Sequence, residues 1–114
     1  MFRVAIVGAD DLNNYELFEQ RCIYFLKNKG KEGGIIIHTT GEEDVIKFAS
    51  KWHIEYKIFY TDWKHYGKEA LKHRNHELLE GCGGVIVFRS DVKGNGMIRQ
   101  AALDLNIPCR NVTT

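Results

Sequence analysis

The sequence predicts an α/β fold in which a mostly parallel sheet is covered by helices on both faces. Four short runs rich in Val and Ile alternate with longer segments of helical periodicity, and this alternation is typical of strand–helix repeats. The apolar runs are nearly continuous, as in strands that are covered on both faces. Because crossovers are right-handed, we expect a Rossmann-like three-layer sandwich with five strands in the order 3-2-1-4-5.

The strands are predicted from branched apolar residues that are bounded by turn residues. The first run ends at Gly8, which favours a sharp turn. The single proline, Pro108, must lie at the start of a strand or on an edge strand because it lacks the amide donor. Five strands are therefore predicted, over residues 2–7, 34–38, 54–60, 84–88 and 107–112.

Amphipathic helices are predicted between the strands because apolar residues recur there at steps of three and four. Asn13 with Glu16 forms a candidate capping box, and Thr39 with Glu42 forms a second candidate cap. Gly30 follows the last turn of the first helix, where a helix is expected to end. The four helical patterns cover residues 15–26, 45–52, 67–80 and 97–105.

Length and composition indicate one globular domain over residues 1–114. Sixteen basic and fifteen acidic residues give a net charge of +1, which argues against a protein that grips a nucleic-acid polymer. No apolar stretch approaches the roughly 20 residues of a membrane span, and no signal peptide is visible. We expect a cytoplasmic protein whose three separated cysteines are reduced and form neither a disulfide framework nor a metal site.

In a sheet of this order, ligands bind beyond the carboxyl ends of the strands, where the strand order reverses. That point lies between the first and fourth strands, so the loops that follow residues 7 and 88 are the candidate site. Gly8, which Ala9 follows, allows a ligand to approach the backbone, and amide groups at the following helix start could hold a phosphate or a sugar. Asp10 and Asp11 would repel a phosphate, so their expected partner is a ribose hydroxyl or a base edge. A simple polar turn with a helix cap is the alternative.

Two further loops offer candidate ligand contacts. Thr39, Thr40 and Asp44 follow the second strand, where they form either an anion site or only favourable interactions with a helix dipole. After the fourth strand, Arg89 and Lys93 with the glycine-rich residues 94–96 resemble a phosphate cradle, although two glycines also occur in ordinary turns.

The segment after the third strand combines aromatic residues with cations. Trp63 or Tyr66 could stack on a base while Lys68 and Arg74 meet phosphate; the alternative is a solvated basic face. Two histidines follow, but no third residue is spaced to complete a metal site, so we expect no metal and no cofactor.

The same segment carries a more specific pattern, DW..YGK.A...RN, over residues 62–75. It resembles the YspA-type members of the SLOG (SMF/DprA–LOG) superfamily, and the resemblance covers nearly the whole chain. Gly8 to Asp11 stand where the family has a turn of the G-S-R-D type, and Gly94 with Asn95 stands where it has a Gly-Thr pair. Ile107 with Pro108 matches the family's terminal G-I-P sequence. The glycine-rich loop after the second strand departs from the family, with only Asp44 retained.

The resemblance implies a ligand that is a small nucleotide or a derivative of NAD or ADP-ribose, cyclic nucleotides included. A sensor or sequestering protein would hold this ligand without turnover. The alternative is a phosphoribohydrolase of the LOG type, with Arg74 on the phosphate and Asp10, Asp11 or Glu43 as the carboxylate. The loop after the fourth strand lacks the family's catalytic carboxylate, which favours binding over hydrolysis. A homodimer or larger assembly, and a pure protein-interaction domain, stay open. The residues expected to bind the ligand are Gly8, Ala9, Asp10, Asp11, Thr39, Thr40, Asp44, Trp63, Tyr66, Lys68, Arg74, Asn75, Arg89, Gly94, Asn95 and Gly96.

Overall fold

A computed structural model describes residues 1–112 of the chain and contains one sheet of five parallel strands. The strands are β1 (Phe2–Val7), β2 (Ile35–Thr39), β3 (Glu55–Ile58), β4 (Gly84–Phe88) and β5 (Cys109–Val112). Their order in the sheet is β3-β2-β1-β4-β5, so the predicted fold class and strand order are confirmed. Pro108 directly precedes the edge strand β5, where its missing amide donor interrupts no ladder.

Six α-helices connect the strands within the described residues. The four predicted helices are present, and two short helices that the periodicity did not predict precede the first and third of them. The helices are α1 (Ala9–Leu12), α2 (Tyr15–Leu26), α3 (Glu43–Lys51), α4 (Trp63–Tyr66), α5 (Ala70–Leu79) and α6 (Lys93–Asp104), with a 3-10 turn over Gly67–Glu69. None of these helices combines the length and the apolar character that a membrane crossing requires.

The start of α2 differs from its predicted capping box. Asn13 lies in the left-handed region with φ 51° and joins α1 to α2, so it cannot be the cap. The cap is Asn14, whose Oδ1 accepts the amide N–H of Leu17 at 3.1 Å. The shift of one residue has a local cause, because α1 occupies the residues in which a loop was predicted.

The start of α6 also differs from the prediction. The helix begins at Lys93 rather than at Met97, so Gly94, Asn95 and Gly96 form its first turn instead of a preceding loop. Glycine is a poor helix former, which explains why the periodic pattern became visible only after residue 96. The backbone amides of this glycine-rich turn therefore point along the helix axis toward its N-terminus.

The core consists of two apolar layers, one on each face of the sheet. Val4 and Ile6 of β1 point to the layer that α2 and α3 cover, whereas Ala5 and Val7 point to the layer under α5 and α6. Both layers are fully buried around β1, which explains the unbroken apolar run over residues 4–7 of this strand. The connections therefore place α2 and α3 on one face and α5 and α6 on the other.

Candidate functional site

The carboxyl ends of β1 and β4 lie side by side at the centre of the sheet, at the point where the strand order reverses. Gly8 follows β1 with φ 88°, and a Cβ at this position would overlap the carbonyl oxygen of Phe88 at the end of β4. A residue with a side chain would also be strained at this φ. Gly8 is therefore required by close backbone packing between the two strand ends, independently of any ligand.

Two carboxylates link the loops after β1 and β2, and we call Asp10 and Glu42 the capping pair. Glu42 Oε1 accepts the amide N–H of Gly8 at 2.7 Å, and its Oε2 accepts that of Asp10 at 3.0 Å. In return, the Asp10 carboxylate accepts the amide N–H groups of Glu43 and Asp44, both at 3.1 Å, at the start of α3. Each carboxylate thus caps the helix that begins in the other loop.

The capping pair changes two predictions. Thr39 was expected to cap α3. Instead, Thr39 is buried at the end of β2, and its Oγ1 accepts the amide N–H of Gly41 at 3.1 Å. The amide groups of Gly8 and Asp10 were expected to be available to a ligand, but Glu42 occupies them. A ligand phosphate could reach them only after Glu42 moved away.

Glu42 is the titratable group with the most unusual surroundings at this edge. Burial raises the pKa of its carboxyl group, and the negative charges of Asp10 and Asp11 act in the same direction, against the lowering effect of the two amide donors. Burial and the charge of Asp10 likewise raise the pKa of Asp44. Sequence reasoning missed the role of Glu42, because a contact over 34 residues leaves no local signal.

A second network joins the loop after β1 to the start of α6. Asn95 is buried, and its Nδ2 donates to Asp11 Oδ2 at 2.8 Å and to the carbonyl oxygen of Arg89 at 3.2 Å. Arg89 has φ 50°, an uncommon conformation for a residue with a side chain. Its guanidinium donates to both Asp91 oxygens at 2.8 Å and to the carbonyl oxygen of Asp11 at 3.3 Å. The predicted residues Asp11, Arg89 and Asn95 are therefore brought together.

The N-terminus of α6 differs from those of α1 and α3 because no side chain caps it among residues 1–112. Its N-cap is Val92, and no acceptor is found for the amide groups of Lys93 and Gly94. A Cβ at Gly94 would meet no atom within 4 Å, so the approach to this turn is open. By contrast, a Cβ at Gly96 would lie 2.7 Å from the carbonyl oxygen of Ser90, so Gly96 is required by packing.

Within the described part of the chain, the aromatic and basic segment after β3 does not take part in the hydrogen-bond networks at the ends of β1 and β4. Trp63 is 57% exposed, and Lys68 is exposed as well. Tyr66 stacks on His73 of α5, with ring centroids 3.9 Å apart and an interplanar angle of 23°. Among residues 1–112, no hydrogen bond or ion pair joins this segment to the loops after β1 and β4.

Arg74 and Asn75 of α5 interact with each other. Arg74 is half-buried, and its Nε donates to Oδ1 of the buried Asn75 at 3.0 Å. Burial lowers the pKa of the Arg74 guanidinium. Asn75 also lines a cavity of about 720 Å³ between α5 and α6, together with His73 and Met97. This cavity connects the α5 motif to α6 next to its glycine-rich turn.

The remaining candidate residues have simpler surroundings. Ala9 is buried in the core, Thr40 is half-buried, and Glu43 is exposed at the start of α3. Residues 1–112 contain no group of three or more His, Cys, Asp or Glu side chains arranged to hold a metal ion. Burial raises the pKa of the Cys82 thiol to about 11, and all three cysteines are free.

Comparison of the chain with protein-family profiles, with curated proteins and with solved structures gave no match. The resemblance to the SLOG superfamily therefore stays a prediction from the motif over residues 62–75. The fold itself is established by the sheet order and by the helices on both faces.

Proposed function

We propose that the protein binds a small nucleotide or nucleotide-derived ligand, with its phosphate at the N-terminus of α6 and its ring between α5 and α6. The observation that carries the proposal is the uncapped first turn of α6, where the amides of Lys93 and Gly94 have no acceptor among the protein groups of residues 1–112. Helix N-termini favour anions through these amides and through the helix dipole. The Lys93 side chain adds a positive charge at the same turn.

The cavity between α5 and α6 supports the position of the ring. Lys93 and Met97 are four residues apart and therefore adjacent on one face of α6. Met97 lines the cavity, and so do Ala101 and Leu105 further along the helix. The cavity has a volume of about 720 Å³, which lies within the range of roughly 300–1,000 Å³ that is usual for small-molecule sites. A phosphate at the start of α6 thus places the remainder of a nucleotide along an apolar wall.

Polar groups in the cavity could form hydrogen bonds with a base or a ribose. The buried Asn75 can both donate and accept, and His73 presents an imidazole whose other face is stacked on Tyr66. Several members of the α5 motif would thereby take part in the site, as the family resemblance implies. Asp11 lies beside Asn95 at the same end of α6 and offers a carboxylate to a ligand hydroxyl.

The phosphoribohydrolase alternative receives no specific support. Both Asp10 oxygens accept amides of α3, and Arg74 donates to Asn75 rather than to a group near the α6 turn. The capping pair also fills part of the predicted site with the protein's own side chains. Binding without turnover therefore remains the function that we propose.

The proposal is tested by calorimetry with adenosine, AMP and ADP-ribose, followed by chromatography of the same mixtures for free base. We expect Lys93→Ala to weaken AMP by about tenfold, the effect of one charge-assisted contact, and to leave adenosine unchanged. Met97→Ala is expected to weaken both ligands. Lys64→Ala removes an exposed lysine of α4 and serves as the matched control.

Three results would contradict the proposal of binding without turnover. Absence of heat and of a thermal shift with all three ligands would argue against a nucleotide site and would favour a protein-interaction domain. An equal loss of AMP affinity in Lys93→Ala and Lys64→Ala would show that binding depends on general charge and not on the start of α6. Release of free base would revive the hydrolase alternative.

A further inference from the structure

A second cavity, of about 700 Å³, lies at the opposite end of the sheet from the site described above. It is bounded by the C-terminal end of α2 and by the first residues of β1, β4 and β5. The topology explains its presence. The helices α2 and α3 cover the strands on the β1–β2–β3 side, whereas α6, which leads into β5, packs on the other face. The β4–β5 end is therefore left open beside α2.

Apolar and aromatic side chains form one part of the wall of this cavity, and polar groups form the other part. Val4 and Ile86 form its floor from the two central strands, and Phe2 and Phe25 line its sides. The absence of a side chain at Gly83 helps to shape the cavity, because a Cβ there would lie 2.6 Å from the Phe2 ring. Tyr24 also lines the opening and is 61% exposed. A flat apolar group would find aromatic surface on two sides.

The charged residues at this cavity all carry the same sign. Lys27, Lys29 and Arg110 line it, and no aspartate or glutamate does. Neither of the ion pairs found within residues 1–112 involves any of the three. The ammonium groups of Lys27 and Lys29 lie 5.0 and 5.3 Å from the ring centroids of Tyr24 and Phe2, so both cations lie against the aromatic wall.

A purely structural explanation covers only part of this charge. Lys27 and Lys29 follow the last turn of α2, where cations stabilise the helix dipole. Arg110 belongs to β5, and its register partner is Ile86, so the dipole of α2 does not account for its position. A charged side chain on the edge strand β5 also protects that edge from pairing with another strand. Neither reason accounts for three cations from two separate elements that line one cavity without a carboxylate among residues 1–112 to pair with them.

We propose that this cavity is a second binding site, for a small anionic amphiphile that combines a flat apolar body with one carboxylate, sulfonate or phosphate group. The apolar body lies on Val4, Ile86 and the Phe2 ring, and the anionic group meets Lys29 and Arg110 at the opening. The volume of the cavity lies within the usual range for such ligands. The site shares no residue with the nucleotide site proposed above.

The test uses two probes with the same ring system, the aromatic sulfonate 1-anilinonaphthalene-8-sulfonate and the uncharged N-phenyl-1-naphthylamine. We expect the folded protein to bind the sulfonate at one site, with amide NMR shifts concentrated at Gly83, Gly84 and the end of α2. The double variant Lys29→Gln/Arg110→Gln should bind the sulfonate about tenfold more weakly and the uncharged probe with unchanged affinity.

The matched control is Lys64→Gln/Arg99→Gln, which removes the same two charge types from exposed residues outside the cavity. This control should leave the affinity for both probes unchanged, and thermal unfolding should show that both double variants are folded. Equal weakening by the two double variants, NMR shifts away from the cavity, or no sulfonate binding at all would overturn the proposal. Each of these outcomes is independent of whether AMP binds at α6.

Discussion

Removal of the Glu42 carboxylate tests whether the protein supplies its own anion at the start of α1. Glu42→Ala deletes two hydrogen bonds from a charged acceptor, to the amides of Gly8 and Asp10 at 2.7 and 3.0 Å. Such bonds contribute roughly 1.5 kcal/mol each. The cost of keeping a charged carboxylate in a half-buried position beside Asp10 and Asp11 offsets part of this gain. We therefore expect a net loss of about 2 kcal/mol.

This loss corresponds to a measurable shift in the thermal midpoint. An unfolding entropy of roughly 2.1 cal/mol/K per residue gives about 0.24 kcal/mol/K for 114 residues. The Tm of Glu42→Ala, followed by circular dichroism at pH 7, should thus fall by about 8 °C. The control is Glu43→Ala, because Glu43 is exposed and its carboxylate accepts no hydrogen bond among residues 1–112. Its Tm should change by no more than about 2 °C.

A small carboxylate should restore part of the lost stability. Acetate at ten times its dissociation constant would contribute about 1.4 kcal/mol, or about 6 °C, to Glu42→Ala and nothing specific to the wild type or to Glu43→Ala. Equal Tm values for the two variants, or equal effects of acetate on both, would refute the reasoning.

The pH dependence of stability tests the direction of the Glu42 pKa shift. The pKa of Glu42 is raised on folding, so just above pH 4.5 the folded state binds more protons than the unfolded state. The stability advantage of the wild type over Glu42→Ala should therefore shrink as the pH rises above 4.5.

Three further predictions concern stability. Gly8→Ala should lower the free energy of unfolding, measured in urea, by at least about 3 kcal/mol, because its Cβ would overlap the Phe88 carbonyl oxygen. Gly94→Ala should raise the free energy of unfolding by roughly 0.5 kcal/mol, because a Cβ there meets no atom within 4 Å. Similar effects at both positions would contradict the packing argument. Asn14→Ala should remove the cap of α2 and lower the Tm by about 4 °C, and an unchanged Tm would show that another group caps the helix. Burial lowers the pKa of His38, so the folded state binds fewer protons than the unfolded state below the ordinary value of 6.5. Stability should therefore decrease from pH 7.5 to 5.5 less steeply in His38→Gln than in the wild type, and parallel pH profiles would exclude this origin.

The fold could be predicted because its determinants are local and repeated. The runs at β1, β2 and β4 are rich in branched apolar residues, and each is followed by a segment with helical periodicity. Right-handed crossovers then leave few strand orders. The edge strand β3 was predicted too long, over 54–60, because Phe59 and Tyr60 extend the apolar run beyond the residues that pair with β2.

The details of the site could be predicted only in part because they depend on distant pairs. Asp10 and Asp11 were identified as important, but nothing near them in the chain indicates that Glu42 supplies the anion for the α1 turn. The start of α6 was hidden by Gly94 and Gly96, which have low helix propensity. A Cβ at position 96 would lie 2.7 Å from the carbonyl oxygen of Ser90, so this position requires glycine. The requirement comes from tertiary packing, which periodicity cannot reveal.

The central position of β1 has a consequence for the order in which the molecule folds. This strand comprises residues 2–7 and is synthesised before the other four strands of the sheet, yet one of its two hydrogen-bonded neighbours, β4, follows about 80 residues later. Until residue 88 has been synthesised, one edge of an apolar strand stays unpaired. Such non-local pairing slows folding and exposes aggregation-prone edges during synthesis. A chain that stops before β4 should therefore aggregate rather than form a stable smaller sheet.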